Sequence, residues 1–478
     1  MKLWPRRKHP KTVPYEEYQK LLDIVAELQQ RVERLEEENR ILRAENEELK
    51  KLLEKERTPP STPSGMVPPY KKPPGRKRNK KPGRKKGHPG TRRETPAKID
   101  ETQEHTLEGC PECGGALSDP VGTRTRITED IPPVQVVVTE HIIHRYHCPC
   151  CRKIVESPVD AALPKMQVGV RVLVFSVFLH YFLGVPISGV QKLLSTFCSF
   201  KMSAGGLSAA WARLARLLKP LHEQLRSEAS GSDTLHADET GWRVAGKTWW
   251  LWCFTNAHVV YYTIAKSRGS PVVADVLGKL FNGTLVCDFF GAYNLIEAAA
   301  KQRCLVHLFR ELKKVLDKNT SDEWAAFCKR LKRILRDAIR LCERRQSIAS
   351  IDFERRRTLL DTRLAQLCAE DWSDKDCRRL VKRLTRCKDE LFVFVDNPAV
   401  APDNNHAERQ IRPAVQMRKN SYGNRSDQGA ETQAVLMSLF RTFHLRGLDP
   451  VETMYSLIKT YLATGSLPPL PAKNTSLG

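Results

Sequence analysis

Short runs rich in Val, Thr, Tyr and Trp follow one another closely between residues 233 and 309, and they restrict the fold of the chain most strongly. TLHADET, TWWLWCFT and HVVYYTIA are separated by turn residues and predict three strands of a meander. SPVVADVLGKL predicts a helix, GTLVCDFF a fourth strand and QRCLVHLF a fifth. Residues 310–396 are almost wholly helical in pattern, and DNNHAERQIRPAVQMRK begins with good N-cap residues and continues as a helix.

The predicted order is β-β-β-α-β-α-β, followed by an all-helical stretch and one more helix. This is the order of a ribonuclease H-like fold with an insertion, in which the first and fourth strands are neighbours. We therefore predict a multidomain α/β chain whose catalytic domain comprises residues 231–309 and 397–440, interrupted by a helical insertion at residues 310–396. Residues 441–478 are expected to form a C-terminal helix and tail.

A heptad repeat occupies residues 15–56. Apolar residues recur there every seven positions for five unbroken heptads, which is typical of a coiled coil, and Asn at two seam positions favours a parallel dimer. The alternative is one amphipathic helix packed on its own domain, but the apolar stripe is narrow and bordered by charge. We therefore predict that copies of the chain associate here. The seam positions are Leu21, Val25, Leu28, Val32, Leu35, Asn39, Leu42, Asn46, Leu49 and Leu53.

Positive charge is concentrated in a Pro- and Gly-rich linker at residues 57–98. The 478-residue chain has a formal charge of +24, and residues 71–98 contain thirteen Lys or Arg. Such a segment cannot bury a core, and flexible basic arms neutralise phosphates. We predict that it contacts DNA; the alternative is a solvated tether between domains. The expected contacts are Arg76, Lys77, Arg84, Lys85 and Lys86.

Two Cys-x2-Cys pairs lie in a predicted zinc-binding domain at residues 99–160. Pairs about 35 residues apart can supply four thiolates to one tetrahedral Zn²⁺, and a closed site of this kind leaves no position for water, so its role is structural. The alternative is unligated Cys in loops. The predicted ligands are Cys110, Cys113, Cys148 and Cys151, with Cys150, His147 and His105 as possible substitutes.

Residues 161–230 have a helical pattern. The apolar run at residues 168–190 contains Arg171 and His180 and is broken by Gly-Val-Pro, so it predicts a buried helix rather than a membrane span. PISGVQKLLSTFCSFKMSAGGLSAAW predicts helix, turn and helix, which is either a DNA-reading unit or a plain helical hairpin. Scattered Cys and the lack of a signal peptide favour a reducing cytoplasm.

Three acids on separate elements form the candidate catalytic site. Asp238 lies within the first predicted strand, Asp288 ends the fourth, and Glu408 lies on the late helix. The two aspartates are expected to converge at one end of the sheet, with the helix packed across it. Phosphoryl transfer on DNA uses two hard cations about 4 Å apart, and carboxylate oxygens suit Mg²⁺ or Mn²⁺. Each acid alone has an ordinary structural alternative, and Glu239 competes with Asp238 because alternation lets only one of them face the site.

Polar and basic groups surround the third acid. Asn404, Asn405 and His406 are able to bond phosphate. Asp403 is expected to cap the helix; the alternative is that it joins the metal shell through water. His307, placed after an apolar strand, is either a phosphate-orienting group or a core histidine. The basic residues expected to hold phosphates are Arg409, Arg412, Arg418 and Lys419.

At these motifs the chain resembles transposases of the insertion-sequence 66 family. The matching segments are GRKKGHPG, CPECGG with CPCC, HADETGWRVAGKTWWLW, CDFFGAYN, CLVHLFREL, NNHAERQIRP with RKNSYGN, and GLDPVE, in this order. The resemblance implies a ribonuclease H-like fold whose catalytic triad is Asp238, Asp288 and Glu408. It also implies a zinc-binding domain at the four cysteines. Transposases of this kind often need companion proteins from the same element.

The expected function is DNA transposition in the bacterial cytoplasm, at the nucleoid when the protein is bound to DNA. Water attacks a phosphodiester at the end of the mobile element, and the freed 3′ hydroxyl then attacks target DNA. One alternative is a non-enzymatic zinc and leucine-zipper regulator, which leaves residues 233–453 unexplained. The other is a ribonuclease H-like nuclease that cuts without joining.

Overall fold

The computed structural model of the protein describes residues 95–473, together with residues 19, 28–32, 35–40 and 42. The residues before position 95 that are described are helical, as the heptad pattern predicts, and their apolar side chains at positions 28, 32, 35 and 42 are 50–54 % exposed. Pairing of two copies through this segment stays a prediction. The linker residues expected to contact DNA lie outside the described residues: Arg76, Lys77, Arg84, Lys85 and Lys86.

The described residues form two sheets. A small antiparallel pair, β1 and β2, lies in the cysteine-containing region, and a five-stranded mixed sheet has the order β5-β4-β3-β6-β7. In the larger sheet β3, β4 and β5 form an antiparallel meander, whereas β3–β6 and β6–β7 are parallel pairs. The strands are β1 (Arg145–His147), β2 (Ile154–Glu156), β3 (Thr234–Val244), β4 (Lys247–Thr255), β5 (Val260–Ala265), β6 (Leu280–Cys287) and β7 (Glu297–Arg303).

A tight turn joins β3 to β4. Val244 pairs with Lys247, and the two residues between them, Ala245 and Gly246, have φ values of 48° and 77°. Left-handed conformation at both central positions is the requirement of the type I′ turn, whose twist matches that of paired strands. This turn fixes the register of β3 and thereby the position of Asp238 along the sheet.

Helices surround the larger sheet and continue beyond it. The apolar faces of α1, α3, α11 and α12 share one core with the sheet. In α3 the residues predicted to form one face, among them Trp211 and Leu218, are at most 1 % exposed. The helices are α1 (Val170–Val177), α2 (Ile187–Phe197), α3 (Ala204–Ser230), α4 (Ser270–Leu277), α5 (Leu305–Leu316), α6 (Asp322–Glu343), α7 (Ser350–Ala369), α8 (Lys375–Arg386), α9 (Val393–Asp396), α10 (Asn405–Ser421), α11 (Asp427–Leu445) and α12 (Pro450–Thr464).

Two expectations for the region around β7 were wrong. The run CLVHLF begins helix α5 instead of forming the fifth strand, which is β7 (Glu297–Arg303) just before it. Short apolar runs fit a buried helix as well as a strand, and here Leu305, Leu308 and Leu312 form a buried helical face. The helix expected between the fourth and fifth strands is only a 3₁₀ turn at Gly291–Tyr293.

The region between residues 305 and 396 is helical, as predicted, and has a buried cluster of its own. Trp324, Phe327 and Leu331 of α6 are fully buried but do not belong to the core that includes the sheet. Among the described residues, no helix is both long and apolar enough to cross a membrane. The apolar run at residues 168–190 instead forms α1 and a π-helical turn at Phe178–Phe182, both packed in the core.

Candidate active site and zinc-binding region

The register between β3 and β6 sets the first two carboxylates beside each other. Thr234, Leu235 and His236 pair with the residues fifty positions later, and the same register extended by two residues sets Asp238 opposite Asp288. In parallel strands, residues opposite each other project to the same face. The predicted adjacency of these two strands is therefore confirmed, and both aspartates lie where the pairing of β3 with β6 ends.

Asp238 lies in a cluster of negative charge. Burial, followed by the nearby carboxylates of Glu239 and Asp288, holds the pKa of Asp238 well above its usual range. Glu408 adds to the same rise in the pKa. The three predicted acids therefore influence one another electrostatically, and a cation among them would relieve the repulsion.

Glu239 has a different environment from its neighbour. One of its carboxylate oxygens accepts hydrogen bonds from Arg268 at 2.9 and 3.1 Å, and the other accepts one from the hydroxyl of Tyr293 at 2.7 Å. The side chain is only 2 % exposed. The Arg268 guanidinium in turn lies between the rings of Trp250 and Phe290, 4.4 and 4.0 Å from their centroids. Both oxygens of Glu239 are thus engaged by protein groups.

A buried arginine fixes the backbone at the second aspartate. Arg303, the last residue of β7, is 1 % exposed and donates from Nη1 to the carbonyl oxygen of Asp288 at 2.8 Å. Its Nη2 donates to Asn294 at 2.8 Å, and its Nε donates to Glu390 at 2.5 Å. Glu390 belongs to the helical insertion, so this contact joins the insertion to the loop that carries Asp288. From the sequence alone, an Arg at the end of a strand is expected to be exposed, so this role of Arg303 was not predicted.

Asn404 joins the start of α10 to β3. Its side-chain amide donates to the carbonyl oxygen of Ala237 at 2.7 Å, and its carbonyl oxygen lies 3.1 Å from Nδ1 of His236. Burial lowers the pKa of His236 to about 4, so the ring is neutral. The backbone N–H of Asn404 donates to the sulfur of Cys304 at 3.2 Å. These contacts place the first turn of α10, which contains Glu408, beside the strand segment that precedes Asp238.

Asn404 and His406, two of the groups able to bond phosphate, bond protein groups in this structure. Asn404 is fully buried in the contacts to β3, and Nε2 of His406 lies 2.6 Å from the carbonyl oxygen of Asn256. Both side chains therefore attach α10 to the sheet. Asp403 directly precedes the N-cap residue, which is Asn404, so the predicted cap position is one residue off; its carboxylate accepts a hydrogen bond from the backbone N–H of Asn405 at 3.0 Å.

Glu408 is paired with cationic and polar groups of α5. Its two carboxylate oxygens accept from the guanidinium of Arg310 at 3.1 and 3.4 Å, and Nδ1 of His307 lies 3.8 Å from one of them. His307 thus lies in the first turn of α5 and faces Glu408, although it does not follow a strand run as expected.

The three carboxylates do not form a closed ligand set. Among the described residues, the potential ligand atoms that lie within 4.8 Å of one another in a group of three belong to Cys304, His307 and Glu408. Burial raises the pKa of Cys304 to about 12, so this sulfur is a neutral thiol. A thiol, an imidazole and one carboxylate suit Mg²⁺ poorly, whereas Asp238 and Asp288 with Glu408 offer the oxygen ligands that it prefers.

The basic residues that follow Glu408 differ in exposure. Arg409, Arg412 and Lys419 are exposed on α10. Arg418 is half-buried, and its guanidinium donates to the hydroxyl of Thr240 at 3.2 Å and to the carbonyl oxygen of Gly241. Contact of these four residues with phosphate stays a prediction, and Arg418 would have to leave β3 to make it.

Each Cys-x2-Cys pair forms a tight turn. Cys110 and Gly114 are joined by a backbone hydrogen bond of 2.8 Å, as are Cys148 and Arg152. The backbone amides of Glu112 and Cys113 lower the pKa of Cys110. Turns that direct amides at a sulfur and favour the thiolate fit a zinc ligand.

The second pair behaves in the same way. The backbone amide and the thiol of Cys151 lower the pKa of Cys148. The two pairs do not meet, however, because none of the described cysteines of these pairs belongs to a group of three potential ligands within 4.8 Å of one another. The donor set therefore fits one Zn²⁺ chemically, while the closed four-thiolate arrangement stays a prediction.

Comparison with known proteins identifies both regions. Residues 165–432 match the family described as "Transposase IS66 family", and residues 108–152 match the "zinc-finger binding domain of transposase IS66". The first match alone spans more than half of the chain. The chain belongs to the IS66 transposase family. Its family match includes all three candidate carboxylates, and the zinc-finger match includes all four predicted zinc ligands. Zinc binding and DNA processing are thus properties expected of this IS66 transposase.

Two relatives come from Sinorhizobium fredii (strain NBRC 101917 / NGR234). "Uncharacterized protein y4jD" is 24 % identical over 387 residues, which cover 73 % of this chain and 74 % of that protein. "Uncharacterized protein y4qI" is 28 % identical over 293 residues, which cover 54 % of this chain and 53 % of that protein. The chain thus spans about half the length of the second relative.

Proposed function

We propose that this member of the IS66 family is an active DNA transposase with a ribonuclease H-like catalytic domain and the carboxylate triad Asp238, Asp288 and Glu408. The observation that carries the proposal is the parallel pairing of β3 with β6, whose register, extended by two residues, sets Asp238 opposite Asp288. The carboxylate of Asp288 also contributes to the raised pKa of Asp238. Asn404 supports it, because this residue attaches the helix of Glu408 to the strand that carries Asp238. If these acids formed only an exposed surface cluster, a buried side chain that attaches the helix of Glu408 to β3 would not be expected.

The carboxylates fit a divalent cation such as Mg²⁺ or Mn²⁺. Asp238 would hold it from within β3 and Asp288 from the end of β6, and Glu408 would join them from α10. When bound, such ions stabilise the charge on the attacking and leaving oxygens of a phosphoryl transfer. Glu239 is assigned a positioning role instead, since Arg268 and Tyr293 already engage both of its oxygens.

The proposed reaction has two transfers. In the first, water attacks the phosphorus at the element end, the bond to the 3′ oxygen breaks, and that oxygen gains a proton to become a 3′ hydroxyl. In the second, this hydroxyl attacks a phosphorus of target DNA and displaces the target's own 3′ oxygen. The side chains of this chain orient the strand for both steps, because Arg409 exposes positive charge next to Glu408, and Arg412 and Lys419 expose more of it along the same helix.

Other regions of the chain have proposed supporting roles. The basic linker at residues 57–98 adds phosphate contacts, and pairing through the heptad segment at residues 15–56 brings two protomers to the two element ends. The four cysteines Cys110, Cys113, Cys148 and Cys151 hold a structural Zn²⁺. Residues 161–230 either read DNA through α2 and α3 or only bridge domains. The proposed location is the bacterial cytoplasm, and companion proteins of the same element are possible partners.

The test is cleavage and joining of DNA that carries the element ends, with Mg²⁺. Glu408→Gln is expected to lose at least about 10²-fold in rate, because ion-mediated charge stabilisation is worth several kcal/mol. The matched control is Glu431→Gln on α11, an exposed carboxylate that pairs with Lys219 at 2.6 Å; its activity should equal that of the unaltered protein. Unchanged activity of Glu408→Gln contradicts the triad. Cleavage without joining identifies a nuclease, and binding without cleavage identifies a regulator.

A further inference from the structure

A cavity of about 680 Å³ opens beside Asp288. Its walls are the loop that follows β6, one face of α5, and α8 of the helical insertion. It therefore adjoins the candidate carboxylate site, and the insertion closes its far side. We call it the α5 groove. His307 lines it, whereas none of the basic residues predicted from sequence to contact DNA does.

Positive charge dominates the lining of the α5 groove. Five Lys or Arg face three acids there. Two of these acids are already engaged by the protein: Glu311 pairs with Arg379 and Arg383 at 2.6 and 2.5 Å, and Asp376 accepts from Asn319 at 3.0 Å. Three of the cations are also engaged, because Arg268 pairs with Glu239, Arg310 with Glu408 and Arg383 with Glu311. The third acid is the catalytic candidate Asp288.

The positive residues of α5 form a row. Arg310 and Lys314 are one helical turn apart on the groove side of α5, and Lys318 continues the row in the turn after the helix end. Lys314 and Lys318 are exposed, and neither forms an ion pair with any residue in the described part of the chain. A row of cations with such spacing is suited to successive phosphates of a nucleic-acid backbone.

Aromatic rings lie at the end of the groove nearest to the carboxylates. Phe289 and Phe290 follow Asp288 directly and line the groove half-buried. The guanidinium of Arg383 lies 4.6 Å from the ring centroid of Phe289, and that of Arg268 lies 4.0 Å from the centroid of Phe290. Aromatic rings combined with a basic groove are the usual means of holding unpaired bases.

We propose that the α5 groove binds an unpaired stretch of DNA strand next to the phosphate that reacts at the carboxylates. A cavity of this size is in the range of about 300–1,000 Å³ that encloses a small molecule, so it admits single nucleotides and excludes a duplex. Phosphates lie along Lys314 and Lys318, and a base lies against Phe289. The inference rests on the proposed function, which supplies DNA as the partner.

The test compares two pairs of lysines in the full-length protein. Binding of a labelled single-stranded oligonucleotide and of a duplex of the same sequence is measured over a range of salt, without divalent ions so that nothing is cleaved. Lys314→Ala with Lys318→Ala is expected to weaken single-strand binding at least fivefold and to reduce the salt slope by about 0.7 for each phosphate that the variant no longer neutralises. Lys314→Gln with Lys318→Gln, which keeps the length of both side chains, should give the same result.

The control removes the same charge nearby. Lys313 is the exposed neighbour of Lys314 on α5 and does not line the groove, and Lys329 is exposed on α6. Lys313→Ala with Lys329→Ala is therefore expected to keep the single-strand affinity and slope. Equal reductions in both double variants overturn the inference, and so does a reduction confined to duplex binding.

A second variant tests the stacking step. Phe289→Leu keeps an apolar side chain but removes the ring, and it is expected to weaken single-strand binding at least about fivefold. Tyr455→Leu is the matched control, because this half-buried ring on α12 also faces a guanidinium, that of Arg171 at 4.2 Å from its centroid, and its variant should bind normally. Unchanged binding by Phe289→Leu overturns the placement of a base there.

The two proposals fail in different ways. If Glu408→Gln abolishes cleavage while all groove variants bind single strands normally, the groove inference is wrong and the proposed function stands. If Glu408→Gln retains cleavage, the triad is wrong, and the binding of the groove variants still decides the inference by itself.

Discussion

The adjacent strands β3 and β6 hold their carboxylates differently from the start of α10. Asp238 and Asp288 are placed by the backbone register of β3 and β6, and neither forms an ion pair with any described residue. Glu408 is placed by side-chain contacts, because Asn404 attaches its helix to β3 and Arg310 pairs with its carboxylate. Removing an aspartate should therefore change chemistry and leave the fold intact. Changes around α10 should move the third carboxylate itself.

The largest expected effect is that of Asp288→Asn. Cleavage should fall at least about 10²-fold, because a charged ligand of the reaction site is removed. The melting temperature should stay the same or rise, because the variant removes repulsion from Asp238. The amide can still accept the hydrogen bond from the backbone N–H of Phe290, which measures 2.8 Å. Cleavage rates and thermal unfolding of the same preparation test both parts.

Asp233→Asn is the matched control for this comparison. Asp233 is exposed and directly precedes β3, so its variant should cleave like the unaltered protein. If Asp288→Asn unfolds the protein, the carboxylate of Asp288 has a structural role. The carboxylates of β3 and β6 then do not differ from that of α10 in their importance for the fold.

The next largest effect is expected for Asn404→Ala. The change leaves the carbonyl oxygen of Ala237 and the ring of His236 without their partners in a buried site. An unsatisfied buried group costs about 1–3 kcal/mol, so the free energy of unfolding should fall by that amount and cleavage should fall with it. Chemical denaturation measures the first and the cleavage assay the second.

Asn405→Ala is the corresponding control on the same helix. This neighbour is half-buried, and its hydrogen bond to Asp403 is made by the backbone N–H, which the change retains. Its variant should stay within about 0.5 kcal/mol of the unaltered protein. Equal destabilisation by both changes would mean that α10 is held by packing and not by Asn404.

Much of the candidate site could be predicted from local sequence, because a strand end followed by an acid is a local pattern. Asp288 directly follows β6 as expected, whereas Asp238 lies within β3, which continues to Val244 beyond the point where its pairing with β6 ends. The attachments of the site could not be predicted in this way. Arg303 and Asn404 act through partners 87 and 167 residues away, and both read as exposed polar residues when only their neighbours are considered.

The sequence predicted that a five-stranded sheet forms, but it did not locate the last strand correctly. Alternation and turn residues identified β3, β4 and β5, whereas EAAAKQR lacks the β-branched residues that identify a strand. That segment forms β7 because its backbone pairs with β6. The apolar residues after it then belong to α5, and this shift brings His307 and Arg310 to face Glu408.

A smaller effect is expected in the pH dependence of stability. The pKa of Asp238 is raised in the folded protein, chiefly by burial. Between the unfolded-state pKa of about 3.8 and the higher folded-state pKa, the folded protein retains this proton while the unfolded protein has released it. The contribution of Asp238 to stability is therefore fully present at low pH and is lost as pH rises through this interval. Without divalent ions, the melting temperature of Asp238→Asn should exceed that of the unaltered protein increasingly as pH rises. A constant difference across the range would contradict this.

The smallest effect is expected for Arg310→Ala, which tests the side of the comparison that belongs to α10. Arg310 and Glu408 are 45 % and 23 % exposed, so their pair contributes at most about 1 kcal/mol to stability. Because Arg310 competes with a cation for Glu408, its removal should lower the Mg²⁺ concentration for half-maximal thermal stabilisation, by at most about fivefold. Arg330→Ala, which breaks the pair with Glu370 in the insertion, should leave that concentration unchanged. A higher Mg²⁺ requirement in Arg310→Ala would instead mean that Arg310 positions Glu408. The carboxylate of Glu408 would then be held in place for the cation as firmly as those of Asp238 and Asp288.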